Sequence, residues 1–148
     1  MSLSLQAQTT LTLNLTLPEL DVDPYHKPYV AVWLETPSRQ YVTTLTLWAD
    51  DKEWYKDLRQ WWRKAGRGNQ NIDGVTQATH RPGEHTLTWN GLDLTQNPVA
   101  EGQYILNVEA SREEGGREFI RIPITLKTNQ QAAAQGKTEL GTINLTLN

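Results

Sequence analysis

The sequence predicts an all-β fold: an immunoglobulin-like β-sandwich of about seven strands with one inserted α-helix. Three observations carry this. Apolar and polar residues alternate with period two at both ends of the chain. Short β-branched and aromatic runs between them are separated by turn residues. In one stretch alone the apolar period lengthens to that of a helix. A closed barrel is the alternative arrangement of the same strands.

The first strand sets Leu11, Leu13, Leu15 and Leu17 on one face and Thr10, Thr12, Asn14 and Thr16 on the other, and Pro18 ends it. The last repeats the pattern, with Leu140, Ile143, Leu145 and Leu147 interleaved with Thr142, Asn144 and Thr146. Both termini are therefore expected to be sewn into the sheets. Tyr29 to Glu35 and Tyr41 to Trp48 are rich in β-branched and aromatic residues; with Pro37 and Ser38 between them they read as a hairpin. His85 to Trp89, Gln103 to Ser111 and Arg117 to Lys127 are further strands, the last two joined through the Gly115-Gly116 turn. Gln130 to Lys137 is low in complexity and reads as a mobile loop before the final strand.

The helix falls at about residues 50–64. Asp50 is the expected cap, with Glu53 placed to reach back. Trp54, Leu58 and Trp61/Trp62 recur at helical spacing, basic residues gather toward the C-terminal end, and Gly66 and Gly68 stop the helix. An exposed loop over about residues 65–84 follows, and the whole chain, 1–148, forms one domain. At this length a chain buries about 70% of its unfolded surface, enough for a real core.

Composition excludes several classes of function. The net charge is −3, from 14 basic and 17 acidic residues, and no basic stripe suggests a nucleic-acid partner. Without cysteine there is no disulfide framework, thiol nucleophile or thiolate metal site. No segment is long and apolar enough to span a bilayer. Met1 to Leu5 reads as a leader on a mature protein and not as a secretory signal.

Several separated motifs resemble a known family: Pro28-Tyr29-Val30-Ala31-Val32-Trp33, Leu47-Trp48, Trp54 to Trp62, Ala78-Thr79-His80-Arg81-Pro82-Gly83, Trp89-Asn90-Gly91-Leu92-Asp93 and Val108 to Gly116. Over roughly Pro28 to Lys127 the chain is similar to the predicted periplasmic proteins of domain of unknown function 2271. The resemblance implies a bacterial periplasmic location and the company of FMN transferases and membrane redox proteins. It carries no established activity. Separately, Trp89 to Tyr104 is similar to the last hairpin of immunoglobulin-like domains of flagellar-hook capping proteins and secreted enzymes, where it is structural. Trp89 and Tyr104 are accordingly expected to pack.

The segment Asp73 to Thr79 resembles the sequence at which FMN transferases join FMN through its phosphate to a threonine, with Asp73, Thr76, Ala78 and Thr79 in matching places. Thr79 would be the acceptor: an exposed hydroxyl attacks the FAD pyrophosphate, a small residue before it admits the loop, and the transferase supplies the metal. Gln77 stands where that pattern has glycine, and His80-Arg81-Pro82 replaces its hydroxyl-rich tail. The competing reading is a turn at Asp73-Gly74, with Thr76 and Thr79 bonded to nearby backbone.

A second candidate surface comprises Trp54, Trp61, Trp62, Arg63, His80 and Arg81. Adjacent Trp61 and Trp62 point about 100° apart on a helix, so at least one indole is expected at the rim, beside arginines. His80 and His85, five apart, and His26 near Asp21 and Asp23 are the weak candidates for a metal, and none is assigned. A hydrolase would require Glu35, Asp50, Asp51, Asp93 and Glu109 to converge. The expectation is a non-enzymatic periplasmic binding or accessory domain, serving a flavin-linked redox system, whose working surface is the helix and the loop from Ala65 to Gly83. The alternatives are an FMN-carrying electron-transfer protein modified on Thr79 and a carboxylate- or metal-dependent hydrolase.

Overall fold

The leucine–threonine alternation near the N-terminus forms β1 (Leu11–Leu17), in which all four leucines are buried and the polar residues between them are half-buried. The computed structural model describes residues 9–66 and 72–148. Met1 to Leu5 and Gly68 lie outside the described residues. β1 pairs antiparallel with β5 (Gly83–Trp89) on one side and β9 (Thr142–Leu147) on the other, setting Leu13 opposite both Leu87 and Leu145. β8 (Gln130–Gln135) completes this sheet against β9, giving the order β5-β1-β9-β8.

β8 corrects the expectation of a mobile loop at Gln130 to Lys137. Its residues have weak strand preference, but β9 supplies a complete ladder from Gln130↔Leu147 to Gln135↔Thr142, and Ala132 and Ala134 pack against the core. Small side chains suffice on an edge strand whose partner brings the large ones.

The second sheet runs β4-β3-β2-β6-β7, comprising β4 (Thr76–Gln77), β3 (Tyr41–Trp48), β2 (Tyr29–Glu35), β6 (Gly102–Ser111) and β7 (Arg117–Leu126). The predicted β2–β3 hairpin and the Gly115-Gly116 turn between β6 and β7 are both present. Every residue of β2 is buried, because this sheet is covered on both faces. Val30, Val32 and Leu34 meet the leucines of β1 and β9 between the sheets; Tyr29, Ala31 and Trp33 meet the helical segment outside. The architecture is a two-sheet β-sandwich and not a barrel. It has nine strands among the described residues; β4 and β8 are those the sequence did not announce.

The predicted α-helix is a broken helical segment. A 3-10 stretch (Lys52–Asp57), one α-turn (Arg59–Trp61) and a π-turn (Trp62–Gly66) follow one another. Asp51 is the cap, accepting from the Glu53 N–H at 3.0 Å, and Asp50 bonds elsewhere. The break falls at Leu58, whose ψ of 74° leaves the helical region. Just past it the buried carboxylate of Glu109 accepts from Gln60 N (3.0 Å) and Trp61 N (2.9 Å). Tertiary capture of these two donors overrides a continuous helical ladder.

Candidate functional site

The segment that resembles an attachment sequence is tied to the end of β3. Asp73–Val75 is a 3-10 turn, and the Asp73 side chain lies outside the described residues, as do residues 67–71 of the predicted loop. β4 runs parallel to β3 beside Leu47 and Trp48, Thr76 Oγ1 donates to the Ile72 carbonyl (2.8 Å), and Ala49 N–H donates to the Gln77 carbonyl (2.9 Å). Gly74, Gln77 and Ala78 are exposed.

Thr79 is not. It is 8% exposed, and its N–H and hydroxyl donate to the two carboxylate oxygens of Asp50, each at 2.9 Å. This corrects the expectation of an exposed acceptor hydroxyl: Asp50, freed from helix capping, clamps the loop instead. The Thr79 N–H holds the Asp50 carboxyl below its usual range, helped by the Thr79 hydroxyl and opposed by partial burial.

The predicted aromatic surface divides. Trp61 is 1% exposed and donates Nε1–H to Thr44 Oγ1 at 3.0 Å, so it is a core residue and not part of a surface. Trp62 is half-buried against the same cluster. Trp54 is 37% exposed and stacks on Tyr29 with centroids 6.2 Å apart. Arg63 is exposed and bonds Gln60; Arg81 is exposed with its carbonyl 2.6 Å from His85 Nε2. Because a carbonyl only accepts, that contact puts a proton on Nε2 of His85.

The carboxylates that a hydrolase would need each hold local structure. Glu109 binds Gln60, Trp61 and Arg117 (2.8 Å); Glu35 accepts from Trp33 Nε1 (2.8 Å); Asp93 closes its own loop through Thr95 and Asn97 (each 2.9 Å from N). His26 lies beside Glu113 and Glu114, at 3.6 and 3.8 Å, instead of Asp21 and Asp23. Among the described residues no three His, Asp or Glu side chains gather as metal ligands.

What the fold does bring together is Trp48, His80 and His85. The period-two pattern of β3 turns Trp48 inward, and at 2% exposure it belongs to the core between the sheets. His80 stacks on the indole at 3.9 Å, and His85 stands edge-on to both rings, 4.8 Å from His80 and 5.7 Å from Trp48. Beside this cluster a cleft of about 600 Å³ opens between β3 and β5, lined by Thr44, Thr46, Trp48, His80, Leu87 and Trp89 among others. This volume is typical of ligand clefts.

Two buried groups of this wall, Trp48 Nε1 and His80 Nδ1, make no hydrogen bond. Buried polar groups are nearly always paired, so two together need a reason. His80 is also held below its usual pKa, by burial first and then by His85 and Lys27; the Ala78 carbonyl opposes this without forming a bond of good geometry at Nδ1. Only the five-residue spacing of His80 and His85 hinted at the cluster. The role of Trp48 carried no signal beyond the end of a strand.

Residues 10–142 match the family described as predicted periplasmic protein (DUF2271), and the chain belongs to that family. The match extends past the Pro28 to Lys127 region of resemblance and takes in β1 and β8. No curated protein and no solved structure matches the chain. The family is periplasmic by description, and no helix among the described residues is long and apolar enough to cross a membrane.

Proposed function

We propose that this member of the periplasmic family is a non-enzymatic binding or accessory domain that takes its ligand in the cleft between β3 and β5. The observation that carries this is the cleft of about 600 Å³ itself, walled by Trp48 and by the His80 ring stacked on it, with Nε1 of the one and Nδ1 of the other buried and unpartnered behind that wall. Buried groups left unpaired cost stability, which marks this wall as shaped by something other than packing. The engagement of Glu35, Asp50, Asp51, Asp93 and Glu109 in local structure favours binding over catalysis. A fragment library followed by two-dimensional NMR tests the site. Shifts are expected at the Trp48 indole, His80 and Thr86 to Trp89; shifts confined to Trp54 and Arg63 would overturn it.

Within this proposal the sandwich is of the immunoglobulin-like kind. Trp89 Nε1 bonds the Leu92 carbonyl (2.8 Å), and the Tyr104 hydroxyl bonds the Ala100 carbonyl four residues upstream (2.7 Å), in the manner of a tyrosine corner.

A second reading, covalent FMN on Thr79, is favoured by one contact: Asp50 Oδ2 sits 2.9 Å from the Thr79 hydroxyl, placed to take its proton. The hydroxyl oxygen would bond to the FMN phosphorus of FAD as AMP leaves, with an FMN transferase as partner and a periplasmic or membrane redox protein as the recipient of electrons. The burial of Thr79 requires the loop to open first. Co-expression with such a transferase is then expected to add one FMN mass, lost in Thr79→Ala; an unmodified mass removes the reading.

A further inference from the structure

Resting on the cleft as the binding site, we propose that its occupant is an extended strand of another polypeptide, uncharged where it binds, which adds to the edge of β5. The lining carries the argument. A sheet face displays every second residue of a strand, whereas an edge displays consecutive ones. The cleft is lined by Thr44, Leu45 and Thr46 in succession on β3, and by every residue from Thr86 to Asn90 along and just past β5. The β5 wall is therefore a strand edge, and on β3 the bulge at Leu45 turns consecutive residues toward the cleft.

The topology agrees. Among the described residues β5 is the end strand of its sheet, paired to β1 alone, and β4 shields β3 only at Leu47 and Trp48. An edge of this kind presents backbone N–H and C=O groups at ladder spacing, the template that strand addition uses. The seven residues of β5 span about 23 Å at ~3.3 Å per residue. Edges that must stay single carry lysine or proline, or are twisted away by a bulge. β5 contains neither lysine nor proline, its one carboxylate, Glu84, lies at its start and outside the cleft lining, and its register with β1 is unbroken.

Charge selects the occupant. Among the described residues Asp93 is the one carboxylate in the lining, and Thr95 and Asn97 already occupy it. Among the described residues no lysine or arginine lines the cleft, so a charged segment would lose its hydration without compensation from them. The exposed Thr88 and the backbone groups of the β5 edge suit backbone carbonyls or small polar side chains, while Leu87 and Trp89 suit alternate apolar ones. A strand offers both with period two.

The probe is a terminally blocked seven-residue peptide alternating valine with threonine or glutamine, titrated into the intact protein. Binding is expected to slow amide exchange along Glu84 to Thr88 and to shift the Trp48 indole. N-methylating alternate peptide amides is expected to weaken it about tenfold or more, because each removes a ladder donor. Thr88→Lys, at an exposed position on the cleft rim, is expected to weaken it to a similar degree with an unchanged circular dichroism spectrum. Binding indifferent to both changes would overturn the strand. So would β5-to-β5 dimers of the protein alone, seen by light scattering, which would make a second copy the occupant. Fragments that bind the cleft while no peptide does would leave the cleft standing and remove the strand; if neither binds there, both fall.

Discussion

Two aromatic regions share β3 and differ in whether their buried indole N–H groups find acceptors. Outside the sheet, the buried indoles Trp33 and Trp61 both have acceptors, Glu35 and Thr44, and Glu109 gathers three donors. Inside, at the end of the same strand, Trp48 is as buried as Trp61 and has none, and His80 stacked on it has an unpartnered nitrogen. Burial alone therefore does not separate Trp61, which packs, from Trp48, which is proposed to wall a binding site. Hydrogen-bond satisfaction does, because an unmet donor in a low-dielectric wall carries a cost that only a partner offsets.

The largest expected effect breaks the outer side, at Glu109. Glu109→Ala strands two backbone N–H groups and Arg117, and is expected to cost about 3–5 kcal/mol in chemical denaturation; a loss below 1 kcal/mol would show that the helical layer does not depend on this carboxylate. Asp50→Ala releases Thr79 and is expected to cost about 1–2 kcal/mol, moderated because Asp50 is solvent-exposed. Proteolysis at Gln77 to His80 should rise with it, and an unchanged cleavage rate would deny the clamp.

A matched pair sharpens the comparison. Trp61→Phe loses a bond and Trp48→Phe loses none, so the first is expected to be about 1 kcal/mol the more damaging. Equal losses would mean that volume, not satisfaction, distinguishes the two sites.

The smallest effect is in pH. The His80 pKa is lowered from 6.5 on folding, so the unfolded chain binds its proton more tightly. The stability from a neutral His80 is full above about pH 6.5 and is lost as pH falls below it toward the folded value. Wild type should thus lose more stability than His80→Gln between pH 8 and pH 5 in thermal melts. Parallel curves would remove His80 as the titrating group.

Where side-chain period and propensity agreed, as in β1, β9 and the β2–β3 hairpin, the strands were legible residue by residue. β8 was not, because alanine and glutamine acquire strand structure only from β9. The helix was legible as an interruption but not in kind, since Glu109, 48 residues beyond Trp61, decides where its ladder breaks. At the attachment-like segment the threonines were visible and their exposure was not: Thr79 is closed by Asp50, 29 positions earlier.

The sequence by itself determined the all-β class, both terminal strands and the place of the helical interruption, because alternation, turn residues and helical spacing are local properties of the chain. The tertiary structure alone decided that Trp61 is core, that Thr79 is held by Asp50, and that Trp48 meets His80 and His85 beside a cleft. Each of these depends on which side chains from distant parts of the sequence meet, by hydrogen bond or by ring stacking, and those contacts exist only once the sheets have packed.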